Sequence, residues 1–142
     1  MNFIEKIKWI KLQKEIAEWN EKTFPDNTEF AQYTKLASEA LELNQAVTRG
    51  DLENTKEEIC DVVISSIGLL RFSSKLCRLK VDKSVKEAYV LSKKIGFDLY
   101  QSVVDKMEIN KKRIFKKKQD GTHQHCDSVV HVGGYIYEKT KH

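Results

Sequence analysis

The chain has few of the residues that build turn-rich or extracellular proteins. Its 142 residues include one proline and six glycines, too few for the many tight turns of an all-β sandwich. Cys60, Cys77 and Cys126 are odd in number and form no CxxC pair, which argues against a disulfide framework or a zinc ribbon. This cysteine usage favours a reducing cytoplasm.

Long apolar runs are also lacking. No stretch approaches the roughly 18 residues of a membrane-spanning helix, and the N-terminal segment alternates charged with bulky residues, unlike a signal peptide. Hydrophobic residues make up 40% of the chain and charged residues 32%, which is typical of a globular domain. We therefore expect no membrane association and a single domain over 1–142, with 119–142 as a C-terminal extension.

Apolar residues recur every three or four positions over most of the chain, which predicts an all-α bundle of four to five helices. Asn27 or Thr28, Asp51 and Asp98 are suited to cap helix starts, and Gly50 and Gly96 to end helices. The first helix shows two stripes with this spacing, Phe3, Ile7, Ile10, Lys14 and Trp9, Leu12, Ile16, Trp19. The expected helices are 3–22, 28–48, 52 to the mid-70s, 82–95 and 98–118.

The C-terminal segment has a different composition. Residues 128–132 and 135–137 are β-prone and flank Gly133 and Gly134. Such a pattern predicts a short β-hairpin or an irregular tail.

Four carboxylates on the second and third helices are the most informative residues. Glu39 and Glu42 are spaced i, i+3, and so are Glu58 and Asp61, so each pair shares one side of its helix. Both pairs border apolar stripes, where facing like charges are costly without a counter-ion. A hard divalent cation such as Mg²⁺, which prefers oxygen ligands, would relieve that cost. The alternative is that they are ordinary solvent-facing helix residues.

These pairs carry a resemblance to a known family. Residues 35–43 (KLASEALEL), followed by 57–63 (EEICDVV), resemble the ExxE and ExxD signature of the MazG-like, all-α nucleoside triphosphate pyrophosphohydrolases. Lys106, Asn110 and Arg113, in the pattern KxxxNxxR, resemble the segment that follows in this family and in related phage enzymes. The segment 72–94 and the C-terminal hairpin are longer than the compact family pattern.

The resemblance implies an activity, a cofactor and an assembly. Family members cleave (deoxy)nucleoside triphosphates between the α and β phosphates, yielding the monophosphate and pyrophosphate, and the phage-type enzymes suggest a purine substrate such as dATP or dGTP. We accordingly expect Mg²⁺, with Mn²⁺ as a substitute, held by the catalytic residues Glu39, Glu42, Glu58 and Asp61. The family usually forms dimers or tetramers, so we expect a homodimer or homotetramer.

The resemblance also implies that Lys106, Asn110 and Arg113 bind phosphates or sugar. Lysine supplies a point charge, arginine a fork for two oxygens, and asparagine a neutral donor and acceptor. The alternative for this stretch is a solvated basic helix end. Lys35 lies one turn before Glu39 and is either a phosphate ligand or an ion-pair partner of that carboxylate.

Aromatic and histidine residues leave further alternatives open. Trp19 and Phe24 can stack on a base, although aromatic residues at helical spacing are more often part of a core. His123, His125 and Cys126 are similar to a cluster of soft-metal ligands, but they lack a fourth ligand at zinc spacing. The segment 120–125 resembles a C-terminal stretch of the phage-type enzymes that closes over the nucleotide.

A rival hypothesis is a non-enzymatic helical module that binds nucleic acid. Seven of the thirteen residues from Lys106 to Lys118 are Lys or Arg, which is a plausible electrostatic footprint. However, the carboxylate pairs would repel a phosphate backbone and have no function in such a module. We therefore favour the enzyme and expect a small-molecule nucleotide rather than nucleic acid as its partner.

Overall fold

The computed structural model describes residues 1–117, 119, 121–132 and 135–140. Within them the chain folds as an all-α bundle followed by a small antiparallel sheet, so the predicted fold class is confirmed. The helices are α1 (Phe3–Thr23), α2 (Glu29–Thr48), α3 (Leu52–Ile67), a 3₁₀ helix (Gly68–Phe72), α4 (Lys75–Ile95) and α5 (Leu99–Lys111). The strands are β1 (Ile114–Lys117), β2 (His123–Val132) and β3 (Tyr135–Thr140).

The helix boundaries follow local capping chemistry. Thr28, Asp51 and Asp98 each accept a hydrogen bond from the backbone N–H three residues later, at the starts of α2, α3 and α5. Such caps satisfy amide groups that have no partner within the helix. Gly50 and Gly96 follow α2 and α4 with φ of 68° and 93°, a left-handed conformation that other residues adopt at a cost.

Two helix predictions need correction. α3 does not continue into the mid-70s, because the chain narrows to a 3₁₀ helix at Gly68. α4 begins at Lys75 rather than near Asp82, after Ser73 in a left-handed conformation and Ser74 as its cap. Most of the segment longer than the family pattern is therefore one helix, and its buried side chains, which include Val81 and Val85, enter the core.

α3 occupies the centre of the bundle, and most of its residues are buried. α2 packs along it after the short turn 49–51, and all five helices contribute to one hydrophobic core. On α1, the stripe with Trp9, Leu12 and Ile16 enters that core. The other stripe, with Phe3, Ile7, Ile10 and Lys14, is exposed, so it forms an apolar surface rather than a second core face.

α5 is shorter than predicted. Its last turn tightens, with Arg113 N donating to Asn110 O at 3.1 Å, and the helix ends at Lys111. The chain then forms β1 instead of continuing helically to Lys118, because Ile114–Lys117 pairs with β2. Arg113 consequently lies in the junction between α5 and β1, not on a helical face with Lys106.

The predicted C-terminal hairpin is present. β2 and β3 pair antiparallel, with Val132 opposite Tyr135, and the sheet order is β1-β2-β3. Gly133 and Gly134, the predicted turn, lie outside the described residues. Among the described helices, none combines the length and apolar character needed to cross a membrane.

Candidate metal and nucleotide site

The hairpin of α2 and α3 brings three of the four predicted carboxylates together. Glu39 from α2 and Glu58 and Asp61 from α3 each offer an oxygen, and these oxygens lie within 4.8 Å of one another. The three residues are only 6%, 5% and 9% exposed. Glu39, Glu58 and Asp61 are called the acidic group below. Their burial rules out the alternative that these three are ordinary solvent-facing residues.

Glu42 is placed differently from the other three. It is half-buried on α2 and lies outside the acidic group. Its predicted contribution as a fourth metal ligand stays a prediction.

Two lysines partly neutralise the acidic group. Lys35 Nζ lies 2.7 Å from Glu39 Oε1, so the ion pair considered for this residue is formed. Lys106 Nζ lies 3.5 Å from Asp61 Oδ1, and Lys106 is itself only 6% exposed. Lys35 and Lys106 thus each bring a positive charge to one carboxylate of the acidic group.

The donor chemistry of the acidic group fits a hard divalent cation. Carboxylate oxygens are the ligands that Mg²⁺ and similar ions prefer, and three of them can bind one ion while further positions stay open to water or phosphate. Soft metals prefer thiolate and imidazole ligands, which the acidic group does not contain. These three carboxylates can therefore hold a metal ion.

A cavity adjoins the acidic group. The empty space at this site amounts to about 640 Å³ when the open solvent at its mouth is included. Glu39 and Asp61 form part of its lining, and three further predicted residues, Lys35, Asn110 and Arg113, also line it. Lys106 does not line it, and its ammonium group pairs with Asp61.

A second part of the lining is aromatic. Phe24 contacts Trp19, Phe115 and His123 with ring centroids 5.6, 4.9 and 4.4 Å away. Trp19, Phe24, Phe115 and His123 are called the aromatic cluster below. Trp19 packs against the core and Phe24 is buried, yet both also line the cavity. These two residues can therefore belong to the core and also stack on a base.

Arg113 and Asn110 are brought together at the end of α5. Arg113 Nη1 donates to Asn110 Oδ1 at 3.2 Å. Asn110 is buried and Arg113 half-buried, and both face the cavity. The short junction before β1 thus places a guanidinium group on the lining of the cavity that Glu39 and Asp61 also line, although the predicted helical face does not exist.

Several cavity residues were missed at the level of sequence. Phe115 reaches the cavity only because β1 and β2 pair, a non-local event without a local signature. Gln32 had a signal, since it lies seven residues before Glu39 and therefore within about 20° of it on the same helix. Gln32 is buried and lines the cavity.

Part of the segment 120–125 lies where the resemblance to the phage-type enzymes suggests. Thr122 is buried and His123 stacks at a tilt on Phe24, so this end of the segment 120–125 lies over the cavity. The side chains of His125 and Cys126 lie outside those described, and so does Asp120. The soft-metal alternative therefore stays untested.

Cys60 lies directly beside the acidic group. Burial above all, and then the charge of Asp61, raise the pKa of its thiol from the ordinary 9.0 to about 12. The thiol is therefore neutral at physiological pH and adds no negative charge to the acidic group.

Comparison with known proteins identifies a distant relative. The chain is 29% identical over 116 residues to a Salmonella phage PMBT28 protein named dATP/dGTP diphosphohydrolase. The alignment covers 80% of this chain but 30% of that protein, so the chain spans less than a third of its relative's length. No family model matches the chain, and no solved structure matches it.

Proposed function

We propose that this protein is a MazG-like, Mg²⁺-dependent nucleoside triphosphate pyrophosphohydrolase. It would cleave a deoxynucleoside triphosphate, most suitably a purine one, between the α and β phosphates to give the monophosphate and pyrophosphate. One observation carries the proposal: a single cavity is lined both by carboxylates of a buried acidic group and by an aromatic cluster. A nucleotide needs both surfaces, one for its metal-bound phosphates and one for its base.

The relative supports the same chemistry. The relative's name, dATP/dGTP diphosphohydrolase, refers to a hydrolase that acts on purine deoxynucleotides. That name suggests a nucleotide substrate for this chain. The spacing of this chain's own carboxylates suggests a divalent metal ion.

At the acidic group, Glu39, Glu58 and Asp61 would hold Mg²⁺ or Mn²⁺, with Glu42 as the candidate fourth ligand. A bound divalent ion supplies positive charge for phosphate oxygens and lowers the pKa of water. A carboxylate oxygen that does not contact the ion can accept the proton of the attacking water. Lys106 would hold Asp61 in position through its ion pair.

Lys35, Asn110 and Arg113 would bind the phosphates. All three line the cavity together with Glu39 and Asp61. The guanidinium fork of Arg113 matches two phosphate oxygens, and the ammonium group of Lys35 adds a point charge. Positive groups held at the departing pyrophosphate stabilise the charge that develops as its bond breaks. Lys106 remains a candidate for the same task if its ammonium group turns from Asp61.

Trp19 and Phe24 would bind the base. Aromatic side chains stack on nucleobases and contribute roughly 1–3 kcal/mol per base. The other two members of the aromatic cluster, Phe115 and His123, hold the ring of Phe24 in place by edge and tilted contacts.

Product analysis tests the proposal directly. Purified protein is incubated with Mg²⁺ and a panel of ribo- and deoxynucleoside triphosphates, and the products are separated by anion-exchange chromatography. We expect monophosphate and pyrophosphate without a diphosphate intermediate. Accumulation of diphosphate with inorganic phosphate would mean cleavage at the γ phosphate and would contradict the proposal.

Glu58→Gln tests the metal site, with Glu57→Gln on the exposed neighbour as its control. Glu58→Gln removes a charge from the acidic group and should lower hydrolysis by about 100-fold or more, because metal-site groups have effects of that size. Mg²⁺ at about 100 times its dissociation constant should stabilise the wild type and Glu57→Gln by roughly 2.7 kcal/mol. That stabilisation should shrink in Glu58→Gln.

Two results would argue against the metal site. One is full activity of Glu58→Gln, and the other is an unchanged melting temperature of the wild type with Mg²⁺ and a nucleotide analogue. Salt-sensitive DNA binding that needs no metal, strengthened by Glu58→Gln, would instead support the nucleic-acid-binding hypothesis.

A further inference from the structure

A relay of two side-chain amides links the turn before α2 to the backbone of α3. Gln32, buried on α2, donates from Nε2 to the carbonyl oxygen of Ser65 at 2.7 Å. Asn27, in the turn, donates from Nδ2 to Gln32 Oε1, also at 2.7 Å. All three residues line the cavity.

The relay fixes which way each amide faces. A backbone carbonyl accepts hydrogen bonds and cannot donate them, so Gln32 must present its NH₂ group to Ser65. Its Oε1 then faces Asn27, which must in turn present its own NH₂ group. The orientation of the Asn27 amide is thus set by the backbone of α3, through two hydrogen bonds.

One consequence concerns Asn27 Oδ1. This oxygen is buried and has no hydrogen-bond partner among the residues that the structure describes. A buried acceptor without a partner destabilises the fold, and the relay prevents the amide from turning to avoid that cost. Asn27 N also donates to Phe24 O at 3.0 Å, so the turn that carries Asn27 is tied to the backbone of a residue of the aromatic cluster.

We propose that Asn27 Oδ1 reads the edge of the nucleobase by accepting a hydrogen bond from an amino group of a purine. Gln32 acts as a positioning residue, because it binds the NH₂ group of Asn27 and leaves the oxygen of this cavity-lining residue without a partner. The identification of the ligand as a nucleotide rests on the proposed function. The aromatic cluster holds the plane of the base, and Asn27 tests the group on its edge.

Binding of monophosphates tests this inference without requiring turnover. The affinities of dAMP and of purine 2′-deoxyriboside monophosphate, which lacks the 6-amino group, are compared by calorimetry. dGMP and dIMP form a second pair that differs only in the 2-amino group. In at least one pair, loss of the amino group should weaken binding to the wild type about 10-fold, because it leaves Asn27 Oδ1 without a partner.

Three alanine variants test whether the relay causes that discrimination. In Asn27→Ala the difference within the pair should fall below about twofold, since the acceptor is gone. Gln32→Ala should also reduce it, because the freed Asn27 amide can present either end. Asn44→Ala, an exposed asparagine on the same helix, should discriminate like the wild type.

Three outcomes decide the matter. Equal discrimination in the wild type and Asn27→Ala would overturn the inference, and so would equal wild-type affinity within both pairs. Discriminating binding without hydrolysis would refute the proposed reaction but leave the inference standing. Absence of binding to all four monophosphates would refute the nucleotide site and the inference together.

Discussion

Cys60 shows how a single buried side chain makes the folding stability of the protein depend on pH. Its thiol is raised to a pKa of about 12 by burial, and unfolding returns it towards 9.0. Above pH 9 the unfolded chain therefore releases a proton that the folded chain keeps, and folding stability falls as the pH rises. A hydrogen bond with Cys77 raises the pKa of Tyr33 from 10.0 to about 12. Ionisation of Tyr33 in the unfolded chain therefore also lowers folding stability, from about pH 10 upwards.

We predict that Cys60→Ala flattens this dependence. Each ionisation linked to unfolding contributes a slope of at most about 1.4 kcal/mol per pH unit. Urea unfolding of wild type and variant between pH 8 and 11 measures the two slopes. Identical slopes would contradict the assignment of the alkaline loss to Cys60.

Arg113 tests the phosphate side of the candidate site. Arg113→Ala removes a guanidinium group from the cavity but leaves the acidic group intact, so nucleotide affinity and turnover should both fall while stabilisation by Mg²⁺ persists. We expect a loss of about 10- to 100-fold in kcat/KM, as for other charge-stabilising groups.

Lys112→Ala, on the exposed neighbour, is the matched control for Arg113→Ala and should behave like the wild type. Steady-state kinetics and melting curves with and without Mg²⁺ provide the readouts. If both alanine variants keep full activity, the basic junction has no part in catalysis.

At the scale of single residues, local helix geometry predicted part of the acidic group. The i, i+3 spacing placed Glu58 and Asp61 together because both lie on one helix. The same spacing failed to bring Glu42 into the acidic group, since the crossing of α2 and α3 decides which of two neighbouring turns faces α3. The pairing of Lys106 with Asp61 depends on how α5 packs against α3, which no local pattern encodes.

Gly68 shows what the end of α3 requires. A Cβ at this position would lie 2.5 Å from Gln32 Nε2 and 2.9 Å from Asn20 Nδ2, closer than side-chain atoms approach. Gly68→Ala should therefore displace Gln32 from Ser65 and destabilise the fold by about 1–3 kcal/mol, as overpacking does. The start of the 3₁₀ helix and the relay of amides depend on the same small residue.

A double-mutant cycle checks the cause of that destabilisation. In a Gln32→Ala background, Gly68→Ala should cost less, because the main clash is gone. Denaturant unfolding of the four proteins measures the coupling. Strictly additive losses would show that Gly68 is required for another reason.

At the scale of elements, capping residues predicted helix starts better than composition predicted helix ends. Thr28, Asp51 and Asp98 cap where expected, since capping is a contact within three residues. The lysine-rich end of α5 was assigned to a helix, but Ile114–Lys117 pairs with β2 instead. Pairing with a distant strand overrides local helix preference, and no short window of sequence reveals it.

For the whole molecule, the exposed stripe of α1 bears on assembly. Phe3 and Ile10 are 76% and 66% exposed, and they share one face of α1 with Ile7. Contiguous apolar surface of this kind is typical of protein interfaces, and symmetric dimers are the most frequent assembly. We predict a homodimer or homotetramer that uses this face.

Light scattering at tens of micromolar measures the mass of wild type and of Ile10→Lys. The variant should shift towards monomer with little loss of monomer stability, because Ile10 lies outside the core. Lys11→Ala, an exposed neighbour, should keep the wild-type mass. A wild type that is monomeric at this concentration would refute the predicted assembly.

The junction between α5 and β1 is two residues long, Lys112 and Arg113. Successive side chains of a strand point to opposite faces, so Phe115 is turned to the cavity while Ile114 and Lys116 are exposed. A single-residue insertion in this junction would exchange those faces and put a lysine or an isoleucine where Phe115 now meets Phe24. Evolution of such an architecture can therefore retune its ligand by changing the length of a linker, without replacing any residue that touches the ligand.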